Sequence, residues 1–373
     1  MIQVRKSGAK YSAIVGIGEK LKAISSQQKK EILMLNRGIN MVQNIDIQPL
    51  IKDIDFNSSE MQVYPPVKGR LGLREAINKE YFHDAASADN IFITNGGVSA
   101  LELIYKTLKT EQVWMPSLYW GAYVNIMKIN KLKYGFYLDL DFLNQNAKSL
   151  KGMTVMICDP NNPSGLKFDD NILFQTIRHL HDEGVVIVFD SPYRRLFFDW
   201  EKDDFYKKLL EFENLIIADS FSKSLGLSGQ RIGFVHSLNQ EFMNELAINL
   251  LYTTNGINNF AQILVERILT TEKGKNAAIL FRENTVSDIS KNIDYLFDKK
   301  LLLSHVYGKE KPWGIFVIVN LSYESLLDYN IGSVPFSFFT QITELDASQY
   351  ARICVSIPHE KFIQFFDKIK IGL

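Results

Sequence analysis

Short apolar runs separated by longer amphipathic stretches constrain this chain more than any other feature. The runs fall at 90–94, 113–116, 133–138, 153–158, 185–190, 215–218 and 231–236. Several are rich in Val, Ile or Phe, and most are unbroken by charge. A strand apolar on both sides must be covered on both sides, so these runs read as strands of a buried sheet. Helical stretches such as 98–109 and 169–183 fit between them. Strand–helix alternation of this kind predicts a doubly wound α/β sheet. A long helix is expected from residue 242 to about 271. Beyond 280 the pattern changes to a helix, strands around 313–321 and 350–357, and a terminal helix from His359. That tail and the first 40 residues are expected to form a second, smaller α+β domain. The expected division is therefore 41–280 against 1–40 with 281–373, and the length of 373 residues suits two domains.

Composition removes several function classes. Lys plus Arg is 42 and Asp plus Glu is 42, so no net field gathers nucleic acid or anionic membrane. Basic residues form no stripe with interleaved aromatics, and no nucleic-acid partner is expected. The start of the sequence lacks a leader pattern. No run approaches the ~20 apolar residues needed to span a bilayer, so a cytoplasmic protein without a membrane partner is expected. Cys158 and Cys354 sit in apolar, strand-like segments and read as buried reduced thiols, which fits a reducing compartment. The six histidines are scattered, and no His/Cys cluster has zinc spacing, so no metal is expected. Gly16 and Gly18 resemble the start of a dinucleotide fingerprint. The third glycine position is Leu21, however, and no strand–helix–strand unit with a following acid is evident.

Ligands of an open α/β sheet bind outside the carboxyl ends of its strands. The residues just after the apolar runs are therefore the candidates. After the run at 215–218 comes Ser220-Phe221-Ser222-Lys223, then a glycine-punctuated loop, then Arg231-Ile232-Gly233. Small residues let a bulky ligand approach the backbone. A lysine in such a pocket becomes a nucleophile once its pKa is depressed. The hydroxyls and Arg231 suit a phosphate. Asp159-Pro160-Asn161-Asn162-Pro163-Ser164-Gly165 is a turn signal whose amide can point into a cleft. Asp190 directly follows a run of apolar residues, a costly place for an acid unless it is paired. Gly96-Gly97-Val98-Ser99 leads from a strand into a helix, whose free N–H groups and dipole favour phosphate. Arg352 interrupts a strand of small and apolar residues.

Together these segments resemble the class I/II aminotransferases, the aspartate-aminotransferase-like group of fold-type I enzymes. The likeness runs in the family's order from about Tyr64 to Arg352. It implies an α/β fold with a mostly parallel, seven-stranded central sheet, helices on both faces and a smaller α+β domain. It also implies pyridoxal 5'-phosphate as cofactor and transfer of an amino group between an α-amino acid and a 2-oxo acid. A carbon–sulfur lyase or other amino-acid lyase on the same scaffold is the alternative, since it would share every cofactor residue. By resemblance, Lys223 carries the cofactor covalently, and Gly97, Val98, Ser99, Ser220, Ser222 and Arg231 hold its phosphate. Val98 departs from the Ser or Thr frequent in relatives. Asp190 faces the ring nitrogen, and Asn162 and Tyr193 bond the phenolic oxygen. Trp120, with Tyr119 as the competing choice, stacks on the ring. Arg352 takes the substrate α-carboxylate, with Asn162 and Gly38 beside the substrate. Tyr64, in Tyr64-Pro65-Pro66-Val67-Lys68-Gly69, reaches the phosphate of a neighbouring subunit, which implies a homodimer with shared active sites.

Overall fold

A computed structural model describes residues 1–198, 201–343 and 345–370. The chain begins with helix α1 (Ala13–Gln28), which contains both Gly16 and Gly18. That pair therefore lies inside a helix and does not form the strand-to-helix turn a dinucleotide site needs.

The apolar runs become the strands of one seven-stranded sheet. They are β1 (Ile91–Thr94), β2 (Val113–Pro116), β3 (Tyr134–Tyr137), β4 (Thr154–Cys158), β5 (Val186–Asp190), β6 (Leu215–Ser220) and β7 (Gly233–Ser237). The spatial order is β1-β7-β6-β5-β4-β2-β3. Strand β7 runs antiparallel to β6 and β1, and the remaining pairs are parallel. Every residue of β1, β4, β6 and β7 is buried, as strands covered on both faces require. Register aligns the functional ends: Cys158 pairs with Asp190, and Asp190 pairs with Ala218. The carboxyl ends of β4, β5 and β6 thus open side by side.

Helices follow the strands. Helix α2 (Gly97–Thr107) starts directly after the glycines beyond β1, with Gly96 at φ +80° as its N-cap. Helix α3 (Gly121–Asn130) starts after Trp120. Helix α4 (Asp170–Asp182) is capped by Asp169, whose carboxylate accepts from the Asn171 and Ile172 amides. The helix expected from 242 to 271 is two helices, α5 (Gln240–Thr254) and α6 (Asn259–Thr270). Asn255 and Gly256 take left-handed backbone at φ +50° and +106° and end the first. The Asn258 side chain then caps the second by accepting from the Ala261 amide.

Helix α7 (Glu272–Asp298) leads to a second sheet of β8 (Phe316–Val319), β9 (Val334–Pro335) and β10 (Ala351–Cys354), in the antiparallel order β9-β10-β8. Helix α8 (His359–Phe366) ends the ordered elements. Leu33–Met34 pairs in parallel with Ile331–Gly332, so the N-terminal segment joins the C-terminal part. We propose the division 41–280 against 1–40 with 281–373, noting that α7 runs unbroken through residue 280. One cluster of buried apolar side chains continues from the large sheet into the small one. Gly165 closes the seam: its carbonyl accepts from the Trp313 and Gly314 amides at 2.7 and 2.9 Å. It sits at φ +68°, and a Cβ there would come within 2.4 Å of the Phe316 carbonyl oxygen. Only glycine meets both conditions. Among the described residues no helix is long and apolar enough to cross a membrane.

Candidate active site

Lys223 lies in the single helical turn Phe221–Ser224, immediately beyond β6. Its amine contacts the Gly38 carbonyl, which brings the N-terminal segment across the sheet. That amine is lowered to about 8, chiefly by burial, with Cys354 opposing and the Arg352 and Arg231 charges adding to the lowering. Gly38 has to be glycine for reasons of space, because a Cβ would fall 2.2 Å from Cζ of Phe316. A buried amine is thereby held on a carbonyl with no carboxylate paired to it among the described residues.

Three segments converge next to it. The Asn162 amide nitrogen donates to the Tyr193 hydroxyl at 3.2 Å, while its Oδ1 accepts from Nη1 of Arg352 at 3.2 Å. Arg352 Nη2 donates to the Asn36 carbonyl at 2.7 Å. Its guanidinium lies between the rings of Phe316 and Phe339, 4.0 and 4.4 Å from their centroids. Arg352 is 1% exposed, and its Nε finds no hydrogen-bond partner. Burial lowers its pKa to about 10, so it remains charged at neutral pH. A buried cation bonded only to neutral acceptors is prepared for an anion.

Asp190, 4% exposed, closes β5. Burial pushes its carboxyl up to about 7, opposed by a hydrogen bond from Tyr123. That hydroxyl donates to Oδ2 at 2.5 Å. Trp120 packs edge-on against Tyr123, the residue bonded to Asp190, with centroids 5.6 Å apart. Tyr119 points elsewhere: its ring packs on Phe136, and its hydroxyl accepts from the Gln341 side chain at 2.7 Å.

The start of α2 meets the end of β6. A Cβ on Gly97 would touch that of Ser220 at 3.4 Å, and one on Gly96 would lie 2.7 Å from Nη2 of Arg231. Arg231 itself has φ +52° and donates to the Ser228 carbonyl at 2.9 Å. The Ser220 hydroxyl donates to that of Ser222 at 2.9 Å. Val98 and Ser99 occupy the first turn of the same helix. Free helix amides, two hydroxyls and a guanidinium thus surround a space kept clear of side chains by glycine. Tyr64 stands apart from this cluster, 82% exposed.

Tyr123, Asn36, Phe316 and Phe339 were not singled out from the sequence. Tyr123, on a helix against the sheet, reads as an ordinary core aromatic until its hydroxyl is placed. Asn36 acts through its carbonyl, and the two phenylalanines carry no signal apart from ordinary core residues.

The sequence profile for aminotransferase class I and II matches residues 33–369. The chain belongs to that family. A histidinol-phosphate aminotransferase of Lactococcus lactis subsp. cremoris is 25% identical over 270 residues, covering 70% of this chain and 72% of the relative. An aspartate aminotransferase of Pyrococcus horikoshii is 24% identical over 336 residues, 83% of each chain. The solved structure of the Thermus thermophilus aspartate aminotransferase with maleate superposes with a TM-score of 0.83 at 18% identity, covering 98% of both chains. The fold is thus the aspartate-aminotransferase-like one, and the protein is an enzyme that transfers amino groups. These relatives do not favour the lyase alternative.

The depressed Lys223 amine has a direct consequence. In cofactor-free protein, reductive alkylation of Lys223 with an aldehyde and cyanoborohydride should rise with pH through a midpoint near 8, where the neutral amine appears. Peptide mass spectrometry across the pH series reads this rise, and a Lys223 midpoint at the ordinary value would contradict the buried placement.

Proposed function

We propose that this aminotransferase works through pyridoxal 5'-phosphate attached to Lys223, exchanging an amino group between an α-amino acid and a 2-oxo acid. The observation that carries the reading is the buried Lys223 amine, lowered to about 8 and within reach of the Arg352 charge, just beyond the strand that pairs with Asp190. Amides of Gly97 and Val98, with Ser99, Ser220, Ser222 and Arg231, would hold the phosphate. Asp190 would face the ring nitrogen, Trp120 would cover a ring face, and Asn162 with Tyr193 would bond the phenolic oxygen. When bound, the protonated ring supplies the electron sink that makes the substrate's Cα proton acidic. Asp190, as a carboxylate, keeps that ring protonated by charge pairing. Arg352 binds the α-carboxylate as a fork, and Asn162 and Gly38 orient the substrate beside it. Lys223, in its neutral form, would be the base that takes and holds the substrate's Cα proton. The relatives are named for histidinol phosphate and for aspartate, and a guanidinium fork suits either anion. The reading adopted for this chain is an α-carboxylate.

A homodimer with shared sites belongs to the same reading. Tyr64, Phe56, Val63, Leu71 and Tyr252 are each exposed, apolar surface that a second copy would cover. Two buried free thiols, Cys158 and Cys354, suit a cytoplasmic setting.

Borohydride reduction of the loaded enzyme should leave the adduct on Lys223 by peptide mapping. A single turnover with an amino acid should abolish the visible absorbance until a 2-oxo acid is added. An adduct on another lysine, or sustained turnover without oxo acid, overturns the reading. Arg352→Ala should weaken amino-acid binding about 10- to 100-fold, the worth of a charge-assisted hydrogen bond, and leave cofactor affinity nearly unchanged. Equal amino-acid binding by both proteins, measured by absorbance titration, would remove Arg352 from the role. Tyr64→Phe and Lys223→Ala homodimers should each be impaired. Subunit exchange between them should build hybrids in which one site collects both defects and the other neither, recovering activity toward about half of wild type. Proven exchange with no recovery would mean the sites are not shared.

A further inference from the structure

We propose that Tyr123 is a positioning residue for the transfer reaction: its hydroxyl fixes the Asp190 carboxylate and holds it in the charged state that faces the cofactor's ring nitrogen. The proposal rests on the reading of Asp190 given above.

The geometry is specific. Tyr123 is fully enclosed, lies one turn into α3, and places its hydroxyl 2.5 Å from Oδ2 of Asp190. Burial keeps its own pKa well above the ordinary value, so it remains a donor at any working pH. Among the described residues no other side chain donates to this carboxylate. By taking Oδ2, the hydroxyl leaves Oδ1 for the ring nitrogen. The Trp120 ring, edge-on against Tyr123, begins the same helix, so one helix sets both the ring-face aromatic and the orientation of Asp190.

The surroundings show why a donor is needed. The groups facing Asp190 are Cys158 on β4, Tyr105 on α2, Tyr193 after β5, Asp219 on β6 and Tyr123 on α3. None is a cation. Asp219 opposes the charge on Asp190, and burial holds its own carboxyl up near 7. Burial drives Asp190 toward its neutral form, and the Tyr123 hydrogen bond is the contact that opposes it. A protonated Asp190 would not pair with a protonated ring, so losing the hydroxyl removes charge where the chemistry requires it. Nothing in a carboxyl titration depends on turnover, so this role can be measured separately from the reaction.

The test uses Tyr123→Phe, which deletes one oxygen and keeps the ring. In cofactor-free protein with carbon-13-labelled aspartate, the Asp190 carboxyl midpoint should move up by about one pH unit, the scale of a lost hydrogen bond to a charged group. In the loaded enzyme kcat should fall roughly tenfold, the same factor expressed as a rate, and the acid limb of its pH profile should move upward. KM for the amino acid should change much less. Asp190→Asn combined with Tyr123→Phe should be no slower than Asp190→Asn alone, because both changes act on one element. An unmoved Asp190 midpoint, or multiplying losses in the double variant, overturns the proposal. An upward midpoint shift together with no transamination by wild type would instead overturn the function assigned to the site and keep the bond. If Tyr123→Phe does not fold, proton spectra of wild type decide: a slowly exchanging, far-downfield Tyr123 hydroxyl supports the proposal, and a freely exchanging one refutes it.

Discussion

A guanidinium buried without an acid is the constraint around which the rest of the site is arranged. Arg352 has no carboxylate partner among the described residues, yet β10 holds it in the interior. Uncompensated, such a burial is among the most expensive things a fold can do. The chain offsets it with two neutral acceptors, the Asn36 carbonyl and Asn162 Oδ1, and with two aromatic faces. Each compensating group then becomes part of the site. Asn162 also holds Tyr193, Asn36 lies two residues before the glycine that touches Lys223, and Phe316 is the ring that excludes a side chain at position 38.

A second charge cluster shows what the alternative looks like. Arg194 is equally buried, but it meets Asp203 at 2.6 Å and Asp170 at 2.8 Å. Those carboxylates raise its pKa, whereas that of Arg352 is lowered. The first arrangement is saturated and can serve only structure. The second is stable enough to fold and still gains from an anion. The same contrast separates Asp170, held below the usual carboxylate range by Arg194 and Lys167 although its own burial works the other way, from Asp190, which burial raises and one tyrosine restrains. Functional polarity here means burial with incomplete pairing.

What could be read from the sequence follows the same physics. The central strands were legible because burial on both faces leaves an uninterrupted apolar run, and each run became a strand to within a few residues. The reversed direction of β7 was not legible, since an apolar run carries no direction. The break between α5 and α6 was overlooked because apolar spacing continues across it, although Asn255-Gly256 and Asn258 are ordinary stop and start signals. Strand β9 is two residues long and has no periodicity to read. Within the site, Asn162, Tyr193 and Arg352 announced themselves as polar groups in apolar or turn settings, and the structure brings them into contact. Tyr123 did not, because a tyrosine on a helix facing a sheet is indistinguishable from core until its hydroxyl is placed. Tyr64 is the converse: prominent in its motif, and outside the cluster within a single chain.

The location of the site at the seam follows from how its parts are tied. Asp190 ends β5 and Lys223 follows closely on the adjacent parallel strand β6, so the register of β5 on β6 sets their separation. Arg352 belongs to a different sheet, so no strand register relates it to them. The relation comes from the loop at 159–165. At one end it continues β4, and at the other the Gly165 carbonyl is locked by the Trp313 and Gly314 amides just before β8. Asn162, between those anchors, donates to Tyr193 on the large sheet and accepts from Arg352 on the small one. A shift of the small sheet would therefore strain three hydrogen bonds in one short loop. An anion arriving at Arg352 beside these neutral acceptors would add a charged bond at the point where the two sheets meet. On the role proposed for Arg352, binding and alignment are in this way the same event, since the group that would recognise the substrate is also the group that registers one sheet on the other.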